Sequence, residues 1–275
     1  MTQASARRIK RQRARRRAAA LPGRPVLSAP KAFILHLERA IARRTNVETL
    51  RSRLPMASEI VPAVEGSRLA PGDIRRAYVR RRFRPRYPFA LAPAEIGAFL
   101  SHRAAWRRIV DDGLDFAFVF EDDAQIDMAR FGVLFDFVVA ERKRWDYLLL
   151  PAASRTPRGA AIVRSGDLAL VRPKAPPLRA IGQAVSRAAA ERLLSVTEPF
   201  DRPIDTLLQM AWVTQQPVLA ARPSPVSDVS RETGGTTVQR KSLGLFERLR
   251  HEAMRPIYRS QVLVRYRRYL AASQR

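Results

Sequence analysis

The sequence predicts a single-domain α/β fold in which helices flank a mixed, mostly parallel β-sheet. Short apolar runs alternate with longer helical stretches along most of the chain, an order that is typical of strands and helices packed in layers. The run over residues 116–120 is almost wholly apolar, as expected of a central strand that is covered on both faces. With 275 residues, of which 46% are hydrophobic, the chain can bury one substantial core.

The first half of the chain contains five predicted elements. Residues 32–37 and 60–64 are short apolar runs of strand length, whereas residues 41–54 form a helical stretch that stops at Pro55. Residues 67–92 are basic and rich in proline, which predicts a long loop with one helical turn. In order, we predict strand 32–37, helix 41–54, strand 60–64, helix 94–112 and strand 116–120.

The helix over residues 94–112 has clear start and stop signals. Pro93 suits a helix start because its missing N–H is not needed in the first turn, and Gly113 suits a helix end. A helix turns by about 100° per residue, and this rotation places one set of apolar side chains on a core-facing surface. It also places Glu95 and His102 on one flank of that surface. That surface spans an arc of about 120° and consists of Ile96, Phe99, Leu100, Trp106 and Val110.

The second half continues the alternation of strands and helices and contains no internal repeat. From the apolar runs and their periodicity we predict helix 130–142, strands 145–150, 160–163, 168–171 and 181–186, helices 188–196 and 204–213, and strand 217–221.

Charge divides the chain into three segments. Lys and Arg total 51 against 25 Asp and Glu, a formal charge of +26, and basic residues dominate positions 7–17. We predict a basic, disordered tail over residues 1–30, the folded domain over residues 31–240, and a basic, amphipathic helical segment over residues 241–275. The tail is either a solvated, self-repelling segment or a docking element for an anionic surface. The C-terminal segment lies either against the domain or on a membrane surface.

The sequence has no apolar run of the roughly 18–20 residues that cross a bilayer, and its N-terminus lacks the apolar stretch of a signal peptide. We therefore expect a cytoplasmic protein whose basic segments can contact the inner face of the cytoplasmic membrane.

Composition limits the chemistry that is available to this chain. There is no cysteine, which excludes disulfides, thiolate metal sites and cysteine nucleophiles. The three histidines, His36, His102 and His251, lie far apart without the spacing of zinc ligands. Metal binding by this protein would therefore use oxygen ligands.

Three adjacent acids, Glu121, Asp122 and Asp123, end the predicted strand 116–120. They repel one another, so the arrangement is unfavourable unless a cation or hydrogen-bond donors occupy the site. Ligands of open α/β sheets bind at the carboxyl ends of strands, and Mg²⁺ or Mn²⁺ prefers carboxylate oxygen together with substrate phosphates. The acids predict a seat for a metal and a diphosphate, although acids also end strands for purely structural reasons.

The residues around this cluster form a longer pattern. Glu95-Ile96-Gly97 and Ser101-His102 lie on the predicted helix, and the next predicted strand ends in E-D-D. This E-I-G-x-x-x-S-H and E-D-D pattern closely resembles the core of glycosyltransferase family 25. Further similarities over about residues 31–215 are weaker individually: residues 33–39 with Arg43-Arg44, residues 63–66, Trp145-Asp146, residues 182–186 and residues 203–205.

The resemblance implies a GT-A-like fold and an inverting, metal-dependent transfer of a hexose, with galactose as the family-level expectation. It further implies a UDP-sugar donor, Mn²⁺ or Mg²⁺ as cofactor, and a hydroxyl of a glycan or lipid-linked saccharide as acceptor. Carried onto this chain, it makes Asp123 the direct metal ligand. Asp122 supports the metal and, with Glu121, helps to hold the ribose and diphosphate.

The resemblance also suggests a catalytic base and further donor contacts. Asp205 is the first candidate for the base, and Glu95 is the second, although either can be a first-turn acid of its own helix. His102 can bind a donor phosphate, orient Glu95, or be a structural residue. Arg39 and Arg44 can contact uridine or diphosphate, or be surface charge.

Two other classes of function remain open at this point. The charge of +26 suits a nucleic-acid-binding protein, but no zinc finger, RNP aromatic pattern or helix-turn-helix accompanies it, so nucleic acid is an unlikely partner. A scaffold protein that has lost catalysis is the second alternative, and the intact acid cluster argues against it.

Overall fold

The computed structural model describes residues 29–153, 157–230 and 245–273, without the side chains of residues 245–251. The predicted tail over residues 1–30 therefore lies almost entirely outside the described residues. The strands are β1 (Lys31–His36), β2 (Ser58–Pro62), β3 (Phe116–Glu121), β4 (Ala124–Ile126), β5 (Tyr147–Leu149), β6 (Gly159–Ser165), β7 (Leu168–Pro173), β8 (Gly182–Ser186), β9 (Leu219–Arg222) and β10 (Val226–Asp228). The α-helices are α1 (Arg44–Arg53), α2 (Pro71–Ala77), α3 (Pro93–Asp111), α4 (Met128–Ala140), α5 (Arg187–Val196), α6 (Ile204–Leu208), α7 (Ala211–Thr214) and α8 (Leu245–Ala272).

Eight of these strands form one sheet in the order β2-β1-β3-β8-β5-β9-β7-β6. β1 pairs in parallel with β2 and β3, and β5 pairs in parallel with β9, whereas the other pairs are antiparallel. Strands β7 and β8 consequently run against the direction shared by the remaining strands. The predicted fold class, an α/β fold with a mixed, mostly parallel sheet flanked by helices, is confirmed.

Helices cover both faces of the sheet. Successive side chains of a strand point to opposite faces, so each central strand contributes apolar side chains to both faces. On one face, Phe33 of β1 and Val119 of β3 belong to a buried cluster with side chains of α3 and α5. On the other face, Ile34 and Phe118 belong to a second cluster with side chains of α1 and α4. The central strands are thus buried on both sides, as the apolar run of β3 predicts.

Several predicted elements differ in extent from the observed ones. The helix predicted over residues 204–213 is wrong, because α6 and α7 are separated by a break at Met210, where φ is −98° and ψ is 64°. The loop predicted over residues 67–92 contains the seven-residue helix α2, with Pro71 at its first position. The antiparallel pair of β4 and β10 was not predicted, since each strand has three residues and they pair over a long sequence separation.

The C-terminal helix α8 packs against the domain along one side. Tyr258, Val262 and Tyr266 of this helix are buried, whereas its arginines with described side chains are exposed. Within the described ranges, no helix combines the length and the apolar composition that a bilayer-crossing segment needs.

Candidate active site

Three parallel strands end side by side and form the floor of a cleft. β2, β1 and β3 are neighbours in the sheet, so their carboxyl ends meet at one edge, which is where ligands bind in open α/β sheets. The cleft has a volume of about 500 Å³. Its lining includes the three predicted acids together with two arginines and a histidine: Arg39, Arg43, His102, Glu121, Asp122 and Asp123.

Asp122 is buried, and protein groups engage both of its carboxylate oxygens. Oδ1 accepts a hydrogen bond from Nη1 of Arg43 at 2.5 Å, and Oδ2 lies 3.0 Å from Nδ1 of His36. The backbone N–H of Leu37 also donates to Oδ2, at 3.4 Å, and Nδ2 of Asn46 donates to the Asp122 carbonyl at 2.9 Å. These contacts position the chain after β3 and leave Asp122 little capacity to bind a cation directly.

The two carboxylate oxygens of Asp123 differ in their contacts with the described residues. Its Oδ2 lies 3.3 Å from Nη1 of Arg43, whereas its buried Oδ1 has no hydrogen-bond partner among the described residues. Burial, together with the charges of Glu121 and Asp122, raises the pKa of Asp123 to about 6, although the charge of Arg43 opposes the rise. Because an unpartnered buried carboxylate oxygen is unfavourable, Oδ1 is the atom of this cluster best suited to meet a cation.

Glu121 is oriented by a chain of hydrogen bonds that starts in the core. Nε2 of Gln183 donates to the Ala180 carbonyl at 2.6 Å and lies 3.1 Å from Nδ1 of His102, so Nδ1 acts as the acceptor. The hydrogen of the imidazole is therefore on Nε2, which lies 3.1 Å from Oε1 of Glu121 and donates to it. The hydroxyl of Tyr147 donates to Oε1 of Gln183 at the other end of the chain. His102 thus orients Glu121 and makes no hydrogen bond to Glu95.

The other residues of the helix motif build the wall of the cleft. Gly97 lets α3 approach the turn after β2, since a Cβ at this position would lie 2.7 Å from the backbone nitrogen of Gly66. Oγ of Ser101 accepts a hydrogen bond from the backbone N–H of Val64 at 2.8 Å. The turn and the helix are thereby held together, and both contribute lining residues to the cleft.

The two candidate bases are partly buried acids in the first turns of α3 and α6. Oε2 of Glu95 accepts a hydrogen bond from the backbone N–H three residues before it, at 2.7 Å, so Glu95 caps its own helix. Asp205 accepts hydrogen bonds from the backbone N–H groups of Arg179 at 3.3 Å and Thr206 at 2.7 Å.

Burial raises the pKa of both candidate bases. The charge of Asp205 adds to the rise for Glu95, and the charge of Glu121 adds to the rise for Asp205. Both bases therefore lie close enough to the acid cluster, or to each other, for their charges to interact. A raised pKa also suits a carboxylate that acts as a general base near neutral pH.

Of the two predicted arginines, Arg39 lies at the cleft and Arg44 does not. Arg39 lines the cleft, and its Nε lies 2.9 Å from Oε1 of Glu65. Arg44 is exposed at the start of α1 and is not among the lining residues. Arg43 was named only as part of the Arg43-Arg44 pair and not as a site residue, yet it is buried and contacts two of the three acids.

The donor set fits a hard divalent cation that shares its coordination with a bound diphosphate. Asp123 and Glu121 supply carboxylate oxygen, which Mg²⁺ and Mn²⁺ prefer. In the part of the chain that the structure describes, no three His, Asp or Glu side chains converge as a complete metal cage. Mg²⁺ commonly binds through one or two carboxylates plus substrate phosphates, so two carboxylates can serve a cation that also binds a diphosphate.

Comparison with known proteins supports the resemblance seen in the sequence. Residues 29–157 match the family model described as Glycosyltransferase family 25 (LPS biosynthesis protein). The chain is 29% identical over 207 residues to a Bos taurus protein named "Probable inactive glycosyltransferase 25 family member 3". This alignment covers 70% of this chain and 33% of that protein. The chain is also 31% identical over 140 residues to a "Glycosyltransferase 25 family member" of Drosophila pseudoobscura pseudoobscura. That alignment covers 45% of this chain and 22% of the relative.

A third relative is the "Procollagen galactosyltransferase 1" of Danio rerio, with 27% identity over 124 residues, 43% of this chain and 20% of that protein. The chain thus matches between a fifth and a third of the length of these three relatives.

Two solved structures are similar at lower levels. One is described as mannose-1-phosphate geranyltransferase from Thermus thermophilus, with a TM-score of 0.35, 10% identity, and coverage of 78% of this chain and 82% of that chain. The other is 4-diphosphocytidyl-2C-methyl-D-erythritolsynthase from Anaerococcus prevotii, with a TM-score of 0.36, 12% identity, and coverage of 75% of this chain and 94% of that chain.

Proposed function

We propose that the chain is a member of glycosyltransferase family 25, whose model residues 29–157 match, and that it transfers a hexose from a UDP-sugar to an acceptor hydroxyl. The acceptor is a glycan or a lipid-linked saccharide, and galactose is the first sugar to test because one relative is named a galactosyltransferase. The reaction uses Mn²⁺ or Mg²⁺ and inverts the anomeric carbon. The cleft at the ends of β1, β2 and β3 binds the donor.

The observation that carries this proposal is the state of Asp123. A carboxylate that is buried, that has one oxygen without a partner among the described residues, and whose pKa is raised to about 6 is unfavourable in the absence of a ligand. The neighbouring Asp122 shows that the fold can satisfy such a group, since both of its oxygens have partners. The difference between these adjacent acids supports a role for Asp123 in binding a ligand that brings positive charge.

Each group of the site has a distinct task in the proposed reaction. A bound divalent cation supplies Lewis-acid stabilisation of the negative charge that develops on the leaving diphosphate. Asp123 and Glu121 hold the cation side of the donor, and the hydrogen bond from His102 keeps Glu121 in place. Arg39 offers its guanidinium to the diphosphate, a task that suits the planar fork of this side chain.

Asp205 is the proposed base. It takes the proton of the acceptor hydroxyl as the acceptor oxygen forms a bond to the anomeric carbon, and the bond from that carbon to the diphosphate oxygen breaks. The electron pair of the broken bond leaves with UDP, so one displacement inverts the configuration. The raised pKa of Asp205, caused first by burial, supports this role over that of a passive surface acid.

A non-catalytic protein of the same family is the second candidate, because the Bos taurus relative is named probable inactive. Hydrolysis of a panel of UDP-sugars in the presence of Mn²⁺, with released UDP as the readout, separates the two candidates. We expect turnover of at least one UDP-hexose, loss of turnover after exhaustive chelation, and its recovery when Mn²⁺ is returned.

The matched variants are Asp123→Ala and Asp136→Ala, the second being an exposed acid of α4 away from the cleft. We expect Asp123→Ala to abolish turnover and Asp136→Ala to leave it unchanged, with both proteins folded by circular dichroism. Full activity of a folded Asp123→Ala protein would exclude the proposed site. Absence of turnover with every UDP-sugar would favour the non-catalytic candidate.

A further inference from the structure

A second concave site lies between α8 and the domain. This groove has a volume of about 320 Å³, at the lower end of the range of about 300–1,000 Å³ that is usual for small-molecule sites. Residues before α3, residues before β8, helix α6 and helix α8 all contribute to it. Aromatic rings and arginines dominate its chemistry: Tyr87, Phe89, Tyr258, Tyr266, Arg255 and Arg259.

The aromatic rings of the groove are held in place. The ring of Tyr87 packs edge-on against Phe89 at 5.5 Å and against Tyr258 at 5.3 Å between centroids. The Tyr258 hydroxyl accepts a hydrogen bond from Nη1 of Arg202 at 2.6 Å, and this fully buried guanidinium is itself paired with Asp201. Because rigid rings lose little conformational entropy on binding, they suit contact with the apolar face of a sugar ring.

The groove also carries positive charge that the described residues do not neutralise. Arg255 and Arg259 lie one helical turn apart on α8, and both are exposed. Neither guanidinium forms an ion pair with any residue that the structure describes, and no described lining residue of the groove is acidic. Arg255 lies over the ring of Phe89 at 5.9 Å, so charge and aromatic surface occur together. Guanidinium groups in this setting attract phosphate or carboxylate.

One end of the groove adjoins the proposed base. Thr206 lines the groove, and its Oγ1 donates to Oδ1 of the neighbouring Asp205 at 3.2 Å. Burial raises the pKa of Tyr87, another lining residue of the groove, and the charges of Glu95 and Asp205 raise it further. The charges of both acids therefore act on the Tyr87 hydroxyl. A molecule lying in the groove would have its end beside Asp205.

We propose that this groove binds the acceptor, and that the acceptor is an anionic saccharide. A sugar ring rests on the half-buried rings of Tyr87 and Phe89, its phosphate or carboxylate pairs with Arg255 and Arg259, and the hydroxyl that accepts the hexose faces Asp205. The role as acceptor site rests on the proposed transferase function. The binding of an anionic sugar does not, since it needs no donor and no cation.

Saturation-transfer NMR titrations of the full chain test the assignment, with glucose 6-phosphate, glucuronate, glucose and inorganic phosphate as probes. We expect both anionic sugars to bind more tightly than glucose and more tightly than inorganic phosphate. The double variant Arg255→Ala with Arg259→Ala should weaken the binding of the anionic sugars by about tenfold or more, because two charge-assisted contacts are lost. The control is Arg265→Ala with Arg268→Ala, which removes the same charge from exposed positions of α8 outside the groove and should leave binding unchanged.

Equal weakening by the two double variants would mean that net charge, and not the groove, attracts the probes, and would overturn the proposal. Equal affinity for glucose and glucose 6-phosphate, or for inorganic phosphate and glucose 6-phosphate, would overturn it as well. UDP-sugar hydrolysis without selective binding of anionic sugars refutes the groove assignment alone. Selective binding without hydrolysis of any UDP-sugar refutes the transferase, and with it the role of the groove as an acceptor site.

Discussion

Replacing Asp123 by asparagine should stabilise the protein when no cation is present. Asparagine has the shape of a protonated aspartic acid, so the substitution removes the buried charge and keeps the packing. An aspartate in the unfolded chain has a pKa near 3.8, whereas in the folded protein burial and the neighbouring acids raise the pKa of Asp123 to about 6. The difference of about 2 pKa units corresponds to about 3 kcal/mol, at about 1.4 kcal/mol per unit.

The sign of the effect depends on pH in a defined way. Below about pH 4, Asp123 is protonated in both the folded and the unfolded state, and the two proteins should be equally stable. As the pH rises from about 4 to about 6, the unfolded wild type loses this proton more readily than the folded wild type. The free energy of unfolding of the wild-type protein therefore falls relative to that of the variant. Above about pH 6 the advantage of Asp123→Asn should level off, at up to about 3 kcal/mol.

Urea denaturation at pH 4, 5, 6 and 7.5 with a chelator, followed by circular dichroism, measures this difference. Asp122→Asn is the contrasting variant, because it disrupts a carboxylate that Arg43 and His36 already satisfy, and it should destabilise the protein by about 1–3 kcal/mol. A destabilised Asp123→Asn protein at pH 7.5, or an advantage that does not change with pH, would show that the charge of Asp123 is satisfied within the protein itself.

Substitutions at two further places test the wall of the cleft and the buried ion pair that supports the groove. Gly97→Ala should push α3 away from the turn at Gly66 and lower the melting temperature, whereas Gly132→Ala, with open space around it in α4, should raise stability by about 0.5–1 kcal/mol. Arg202→Met leaves the buried carboxylate of Asp201 without its guanidinium partner and should lower the free energy of unfolding by about 3–5 kcal/mol in urea denaturation. The double variant Arg202→Met with Asp201→Asn should recover part of this loss of stability. If it recovers none, the loss comes from changed packing and not from the unpaired carboxylate.

The sequence was sufficient to predict the central strand and the edge of the sheet at which the acids lie. A fully apolar strand signals burial on both faces, and the acids that end it must then lie at the carboxyl edge. The positions of Arg43 and His36 were not predictable in this way. The burial of Arg43 rather than Arg44 depends on a short 3-10 turn over Ile41–Arg43, and a run of two arginines does not show which of them faces inward. His36 is recognised as part of the site only by its contact with Asp122, which lies 86 residues further along the chain.

The helix motif that made the resemblance recognisable has mainly a structural role in this protein. Gly97 and Ser101 fasten α3 to the turn after β2, and Glu95 caps the first turn of its own helix. Of the residues named in that motif, His102 is the one that contacts the acid cluster, and it does so by orienting Glu121. Because the geometry of the cleft depends on this fastening, a family member can keep the motif for its fold alone. We therefore expect catalytic competence to depend on Asp123, whose Oδ1 has no hydrogen-bond partner in the part of the chain that the structure describes.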